Sequence, residues 1–274
     1  MKASAIMTPD PVTVHPTDGL QRALELMDSQ DFRHLPVVEE GRLLGIISER
    51  DVLEGLGRIP GQSFDQEDDD LAPFRPQQVS DIVLTDVKTV SPAERIDGVA
   101  AVLVGLGIGC TPVLDDGQLT GIVTEMDMLA TYVKLVEAGT LVENQQPQVV
   151  DAMSDHVSSV TPDTLLQDAF SVCLSRNVRH LPVVKAGRLV GLVSDRDLRA
   201  AATSSVPEPI TIDQLMARQV VTIGPIERLP EAARIMYDQK IGTLPVMRDD
   251  VLIGILSLSD VMAHCVRALD SHEF

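Results

Sequence analysis

The sequence predicts an α+β fold of four β-α-β-β-α repeats arranged as two pseudo-twofold pairs, and three observations carry that prediction. An apolar run ending in Ser/Thr-x-x-Asp or its like recurs as GIISERD from 45, GIVTEMD from 121, GLVSDRD from 191 and GILSLSD from 254. The prolines Pro36, Pro112, Pro182 and Pro245 each lie 9 residues before the glycine of that run. Further upstream, TVHP, TVSP, SVTP and TIGP each begin 23 residues before the same proline. A spacing held through four copies marks an internal repeat, and such a repeat is read before anything else.

The elements of one copy follow in order. A short strand, VTV, leads to a helix with Leu20, Ala23, Leu24 and Met27 on one face at helical spacing. LPVV and LLGII are then the two strands of a hairpin around the turn EEGR. A second helix starts at the Ser-x-x-Asp. The copies span about residues 3–54, 78–137, 149–202 and 210–266. A unit of about 55 residues hardly buries its own core, so the units are expected to pair. The first and third copies share RHLPVV and an arginine in the motif; the second and fourth share Ile-Gly ahead of the proline (Ile108 and Gly109, Ile241 and Gly242) and lack that arginine. This A-B-A-B pattern predicts a first pair over 1–138, a linker over 139–148 and a second pair over 149–274. Between the first two copies, GLGRIPGQSFDQEDDDLAPFRPQQ reads as a surface loop. Its acidic run lacks the Gly and Glu of a calcium loop, since Asp70 and Pro76 stand in those places.

Composition limits the function classes. Of 274 residues, 44% are hydrophobic, which sustains packed cores. The longest uncharged apolar stretch, Gly98 to Leu114, is broken by glycines and Pro112, so no membrane span is expected. MKASAIMTPDP lacks the apolar core of a signal peptide, and Cys110, Cys173 and Cys265 are widely spaced, which fits reduced thiols and a cytoplasmic location. A net charge of −19 repels nucleic acid and anionic lipid, and with no Trp there is little to stack on single strands. A small anionic ligand remains compatible, because screening confines the surface field to about 8 Å at physiological salt.

Catalytic signatures are missing from the sequence: there is no GxSxG, HExxH or phosphate loop. GLGIG at 105–109 has the wrong spacing for a dinucleotide fingerprint and lies between a helix and a strand, the reverse of the required order. No metal-ligand cluster and no catalytic cofactor are expected. What remains is the strand-to-helix junction. One reading is a helix cap, with Ser48 as N-cap and Asp51 three residues on. The other is a nucleotide site: helix N–H groups and a hydroxyl facing phosphate, an Asp accepting from a ribose diol, and aliphatic strand residues around a base.

These repeats resemble cystathionine-β-synthase-type (CBS) domains, and two pairs resemble tandem Bateman modules. The signature G-h-h-[ST]-x-x-D with its upstream spacing carries the resemblance. Four copies in one chain are similar to the regulatory gamma subunit of AMP-activated protein kinase, and SLSD at 257–260 is close to it. The resemblance implies adenosine-containing ligands, AMP, ADP or ATP (with Mg2+ accompanying the nucleotide) or S-adenosylmethionine, in clefts shared across a pair. It assigns the ribose to Asp51, Asp127, Asp197 and Asp260. Ser48, Thr124, Ser194 and Ser257 would cap the helix and touch phosphate, helped by Arg50, Arg196 and Ser259 but not by Met126. Arg33 and His34 would serve the site of Asp127, and Arg179 and His180 that of Asp260. No effector domain is legible beside the repeats, so output is expected in trans on a protein partner, from a homodimer or an intrachain four-repeat disc. The competing reading is an oligomerisation scaffold whose motifs only cap helices.

Overall fold

The computed structural model describes residues 1–57, 76–141, 147–202 and 209–270. In the first repeat, α1 (Leu20–Gln30) buries Leu20, Ala23, Leu24 and Met27, the face expected from their spacing, and stops at Asp31 in the left-handed conformation. The hairpin follows as β2 (His34–Glu39) and β3 (Arg42–Ser48), and α2 (Glu49–Gly55) starts at the Ser48 cap. The two turn residues, Glu40 and Gly41, both have positive φ (49° and 78°), the type I′ geometry that matches strand twist. The expected strand VTV shrinks to a single parallel bridge between Val14 and Val37. Its two hydrogen bonds, Val14 N–H to Pro36 O (3.0 Å) and Val38 N–H to Val14 O (2.9 Å), flank Pro36 and Val37 on the adjacent strand.

The other repeats reproduce this plan. The second has α3 (Ile96–Leu106), β4 (Cys110–Asp115), β5 (Gln118–Thr124) and α4 (Glu125–Glu137). The third begins with α5 (Val149–Ala152) and continues through α6 (Leu166–Arg176), β6 (His180–Lys185), β7 (Arg188–Ser194) and α7 (Asp195–Ala202). The fourth has α8 (Leu229–Gln239), β8 (Thr243–Arg248), β9 (Val251–Ser257) and α9 (Leu258–Asp270).

Pairing works by exchange of the segments that lead into each repeat. The leading strand β1 (Thr8–Pro9) of the first repeat adds antiparallel to β5 of the second, with Thr8 opposite Ile122. Leu84 of the second repeat bridges Ile46 of the first, Ser154 of the third bridges Ile255 of the fourth, and Ala217 of the fourth bridges Leu192 of the third. The motif glycine makes this possible. A Cβ at Gly45, Gly121, Gly191 or Gly254 would come closer than 3.0 Å to the exchanged segment: to Val83 and Leu84, to Met7, to Met216 and to Met153 respectively. Each segment also sends one apolar residue into its partner's core. Val79 is fully buried within the first repeat's cluster of Leu20, Leu24, Leu35, Val37 and Ile47, and Ala3, Val149 and Ile212 are equally buried. A repeat therefore lacks both a sheet edge and a core residue until its partner supplies them.

Unit 1 contains a five-stranded sheet in the order β1-β5-β3-β2 with β4 on β5; Arg42 opposite Gln118 joins the two hairpins. In unit 2, β6-β7 and β8-β9 form separate two-stranded sheets. The units are Met1–Met128 and Leu129–Ser271, so the division falls inside α4. The second half of α4 packs in unit 2, where Tyr132 meets His264 edge to face at 6.4 Å. Most of the loop expected between the first two repeats, with its acidic run, and residues 142–146 of the expected linker lie outside the described residues.

Candidate functional site: four strand-to-helix junctions

Each junction is built by three constraints. Strand register places the cap residue opposite the start of its hairpin partner: Ser48 faces His34, Thr124 faces Cys110, Ser194 faces His180 and Ser257 faces Thr243. The first helical amide is then taken by the backbone ahead of that partner. Glu49 N–H donates to Arg33 O (2.9 Å), Glu125 to Gly109 (3.0 Å), Asp195 to Arg179 (2.9 Å) and Leu258 to Gly242 (2.8 Å). Finally, a reciprocal cap closes. Asp51 Oδ2 accepts from Ser48 N–H (3.0 Å) and Ser48 Oγ–H (2.7 Å), while Ser48 Oγ accepts from Asp51 N–H (3.3 Å). Thr124 and Asp127 repeat this at 2.8, 2.7 and 3.2 Å. Ser194 and Asp197 do so at 2.8, 2.6 and 3.2 Å, and Ser257 and Asp260 at 2.7, 2.5 and 3.3 Å.

This corrects one expectation. The helix start does not offer a row of open amides, because the first is bound to a backbone carbonyl and the third to the cap hydroxyl. The hydroxyl hydrogen goes to the aspartate. The second amide, at Arg50, Met126 and Ser259, stays outside these bonds. All cap bonds fall on Oδ2, so Oδ1 of Asp51, Asp197 and Asp260 makes no hydrogen bond among the described residues.

The basic residues divide. Arg50 is held along α2 by Glu54, Nε to Oε1 at 3.0 Å, with both side chains largely exposed. Arg33 and Arg179 are exposed, and Arg196 sits partly buried at the second position of α7; Ser259 holds that place, exposed, in α9. The histidines cross to the partner repeat. His180 Nδ1 lies 2.9 Å from Thr243 Oγ1, at the strand start facing Ser257. His34 lies so close to Gly109 that a Cβ there would sit 2.9 Å from its Cε1. His34 and His180 thus reach the starts of β4 and β8, the strands paired with those that end in the partner caps, while Arg33 and Arg179 make no ion pair among the described residues.

Electrostatically the junctions differ. The first turn of α4 carries Glu125 and Asp127 around Met126, whereas the first turn of α9 has Asp260 as its acid. Cys110, in the place of Thr243, is buried; burial, then the nearby Glu125 charge, pushes its thiol up to about 12. Cys173 is likewise pushed up to about 12 by burial, then by Asp195. Among the described residues no cluster of His, Cys, Asp and Glu could hold a metal, and no helix is long and apolar enough to cross a membrane.

Sequence reasoning missed the exchanged residues Met7, Val83, Met153 and Met216, although each stands at the same offset before its VTV-like segment. It also missed an open depression of about 530 Å³ lined by Asp155, His156, Val157, Ser158 and Arg176.

Comparison with known proteins agrees with this fold. The uncharacterized protein MJ1225 of Methanocaldococcus jannaschii is 27% identical over 272 residues, covering 92% of this chain and 94% of that protein. Its crystal structure, proposed as an archaeal homolog of g-AMPK, superposes with a TM-score of 0.80 at 25% identity over 96% of this chain and 99% of that one. An uncharacterized conserved protein from Pyrococcus horikoshii gives a TM-score of 0.68 at 25% identity, covering 97% of this chain and all of that chain (100%). The CBS domain-containing protein YhcV of Bacillus subtilis is 32% identical over 114 residues, 41% of this chain and 81% of that protein. The CBS domain itself is matched over residues 3–58, 79–134, 149–204 and 212–267, and the chain belongs to the CBS-domain family.

Proposed function

We propose that the chain is a non-enzymatic regulatory module that binds an adenosine-containing ligand, AMP, ADP or ATP, at its junctions. Occupancy signals in trans to a protein partner through a change of conformation or assembly. One observation carries this reading: the aspartate of each junction concentrates its cap bonds on Oδ2, leaving Oδ1 of Asp51, Asp197 and Asp260 as an acceptor for a ribose hydroxyl. The likeness to MJ1225 supports it. Ligand shifts such a module only by binding one arrangement better than another. Phosphate would meet Arg50, Arg196, Ser259 and the second helical amide, with Mg2+ accompanying a triphosphate; His34 and His180 stand where a ligand shared between repeats would be felt.

The closure of all four caps favours a second reading, an assembly scaffold in which the motif serves helix initiation alone. Mass spectrometry of small molecules released from freshly purified protein, with calorimetry in millimolar AMP, ADP and ATP with and without Mg2+, separates the two. Stoichiometric adenylate or a saturable heat supports the regulator. Protein that is empty and calorimetrically silent leaves the scaffold. Saturable binding of S-adenosylmethionine alone would keep the regulator and change its ligand.

A further inference from the structure

Three of the four exchanged segments place a thioether against the motif glycine of the partner repeat. Met7 lies on Gly121, Met216 on Gly191 and Met153 on Gly254, each so close that no Cβ fits between; Val83 takes the corresponding place at Gly45. Met7 and Met153 are partly exposed, whereas Met216 is 7% exposed. The next residue, Ser154, makes both bonds of its bridge to Ile255 of the fourth repeat: its N–H donates to Ile255 O and its carbonyl accepts from Ile255 N–H, both at 2.9 Å. The bridge at Val83 has the same form, with Ile46 and Leu84 exchanging two bonds of 3.0 Å.

We propose that Met153 is a peroxide-sensitive modification site whose conversion to the sulfoxide opens the Ser154–Ile255 bridge between the third and fourth repeats. The sulfur lone pair attacks a peroxide oxygen, the S–O bond forms as the O–O bond breaks, and the sulfur loses two electrons. The departing oxygen takes a proton and leaves as water or, from an alkyl peroxide, as an alcohol. The product is a polar group with a strong acceptor oxygen, placed where an apolar sulfur lay in contact with a glycine that has no side chain to move aside. The oxygen must turn toward solvent, and Met153 carries Ser154 off β9 with it. This inference is independent of what the junctions bind.

The test uses the full chain exposed to millimolar hydrogen peroxide. Peptide mass mapping should find one added oxygen on Met153, and hydrogen exchange at Ser154 and Ile255 should quicken by about tenfold or more. The Ile46 and Leu84 amides, whose bridge has Val83 in place of methionine, should be unchanged. Met153→Val, or Met153→Leu if valine packs poorly, should keep Ser154 and Ile255 protected in peroxide. The proposal is overturned if Met153 is oxidised with exchange unchanged, or if either variant opens in peroxide as the parent does. It also falls if Met153 stays reduced after Met1, 45% exposed, is fully oxidised.

Discussion

His180 Nδ1 and Thr243 Oγ1 stand 2.9 Å apart although 63 residues separate them, and the bond joins the hairpin starts of two different repeats. Both residues are partly or wholly buried, and each faces a helix cap in its own hairpin, His180 opposite Ser194 and Thr243 opposite Ser257. Thr243→Val keeps the shape and removes the hydroxyl. The variant should lose about 1 kcal/mol, more if the imidazole nitrogen is left without water. Thr243→Ser should retain most of the parent's stability. Midpoints of urea denaturation with unchanged slopes would check both; a Thr243→Val midpoint equal to the parent's would show the bond to be energetically idle.

The two pairs treat the glycine before that strand differently, although the sequence repeats it. A Cβ on Gly109 would meet His34, whereas one on Gly242 meets nothing within 4 Å. Gly109→Ala should therefore destabilise by about 1–3 kcal/mol through displacement of the imidazole. Gly242→Ala should be neutral, or stabilise by about 0.4–1 kcal/mol by restricting the unfolded chain. Equal melting shifts for the two variants would contradict this assignment.

The repeat, its hairpins and its caps were legible because they are local. Constant spacing located four copies, helical spacing chose the buried face of α1, and Ser48 with Asp51 announced the start of α2. The exchange between repeats was not legible. Nothing local tells Met153 that its neighbour is Gly254, 101 residues away, and the glycine reads as an ordinary strand glycine until that methionine lies on it. The strand expected at VTV failed for a related reason: Val14 finds its bonds at a single bridge, and the sheet edge is completed by a segment from the other repeat. The cap and ligand readings of the aspartate could not be separated by residue type, because one carboxylate has an oxygen for each.

Arg199 offers a test of packing against charge. It is 2% exposed in α7, with Nε 3.5 Å from Asp195 Oδ2 and its guanidinium 4.7 Å above the Phe170 ring. Two residues beyond the motif aspartate, the other repeats carry Leu53, Leu129 and Met262, all buried. An aliphatic residue fits that place in the fold, and apolar residues of similar volume often match or exceed a buried ion pair in stability. Arg199→Leu should thus be at least as stable as the parent in guanidinium denaturation. Arg199→Ala should lose about 2–5 kcal/mol, as core truncations do. If both variants lose the same amount, the charge rather than the volume holds this site.

The aspartates decide between the regulator and the scaffold, and the geometry makes asparagine the informative replacement. Because Oδ2 alone accepts both cap bonds, the amide oxygen of Asn can take its place and keep Ser194 N–H and Ser194 Oγ–H satisfied. The amide nitrogen then occupies the position of Oδ1, turning the acceptor proposed for the ribose into a donor. Asp197→Asn and Asp260→Asn should hold stability within about 1 kcal/mol, since the amide oxygen keeps both cap bonds and what is lost is a negative charge in the first helical turn, worth about 0.3–1 kcal/mol. Loss of a charge-assisted hydrogen bond of about 1.5–3 kcal/mol should lower adenylate affinity at that junction by on the order of 10- to 100-fold. Ser194→Ala and Ser257→Ala should do the reverse: they remove the cap hydroxyl and about 1 kcal/mol of stability, with less effect on affinity because that hydroxyl already donates to the aspartate. Calorimetric titration and thermal melting on the same samples give both quantities. Asn variants that bind adenylate like the parent while melting several degrees lower would make the aspartates caps and nothing more.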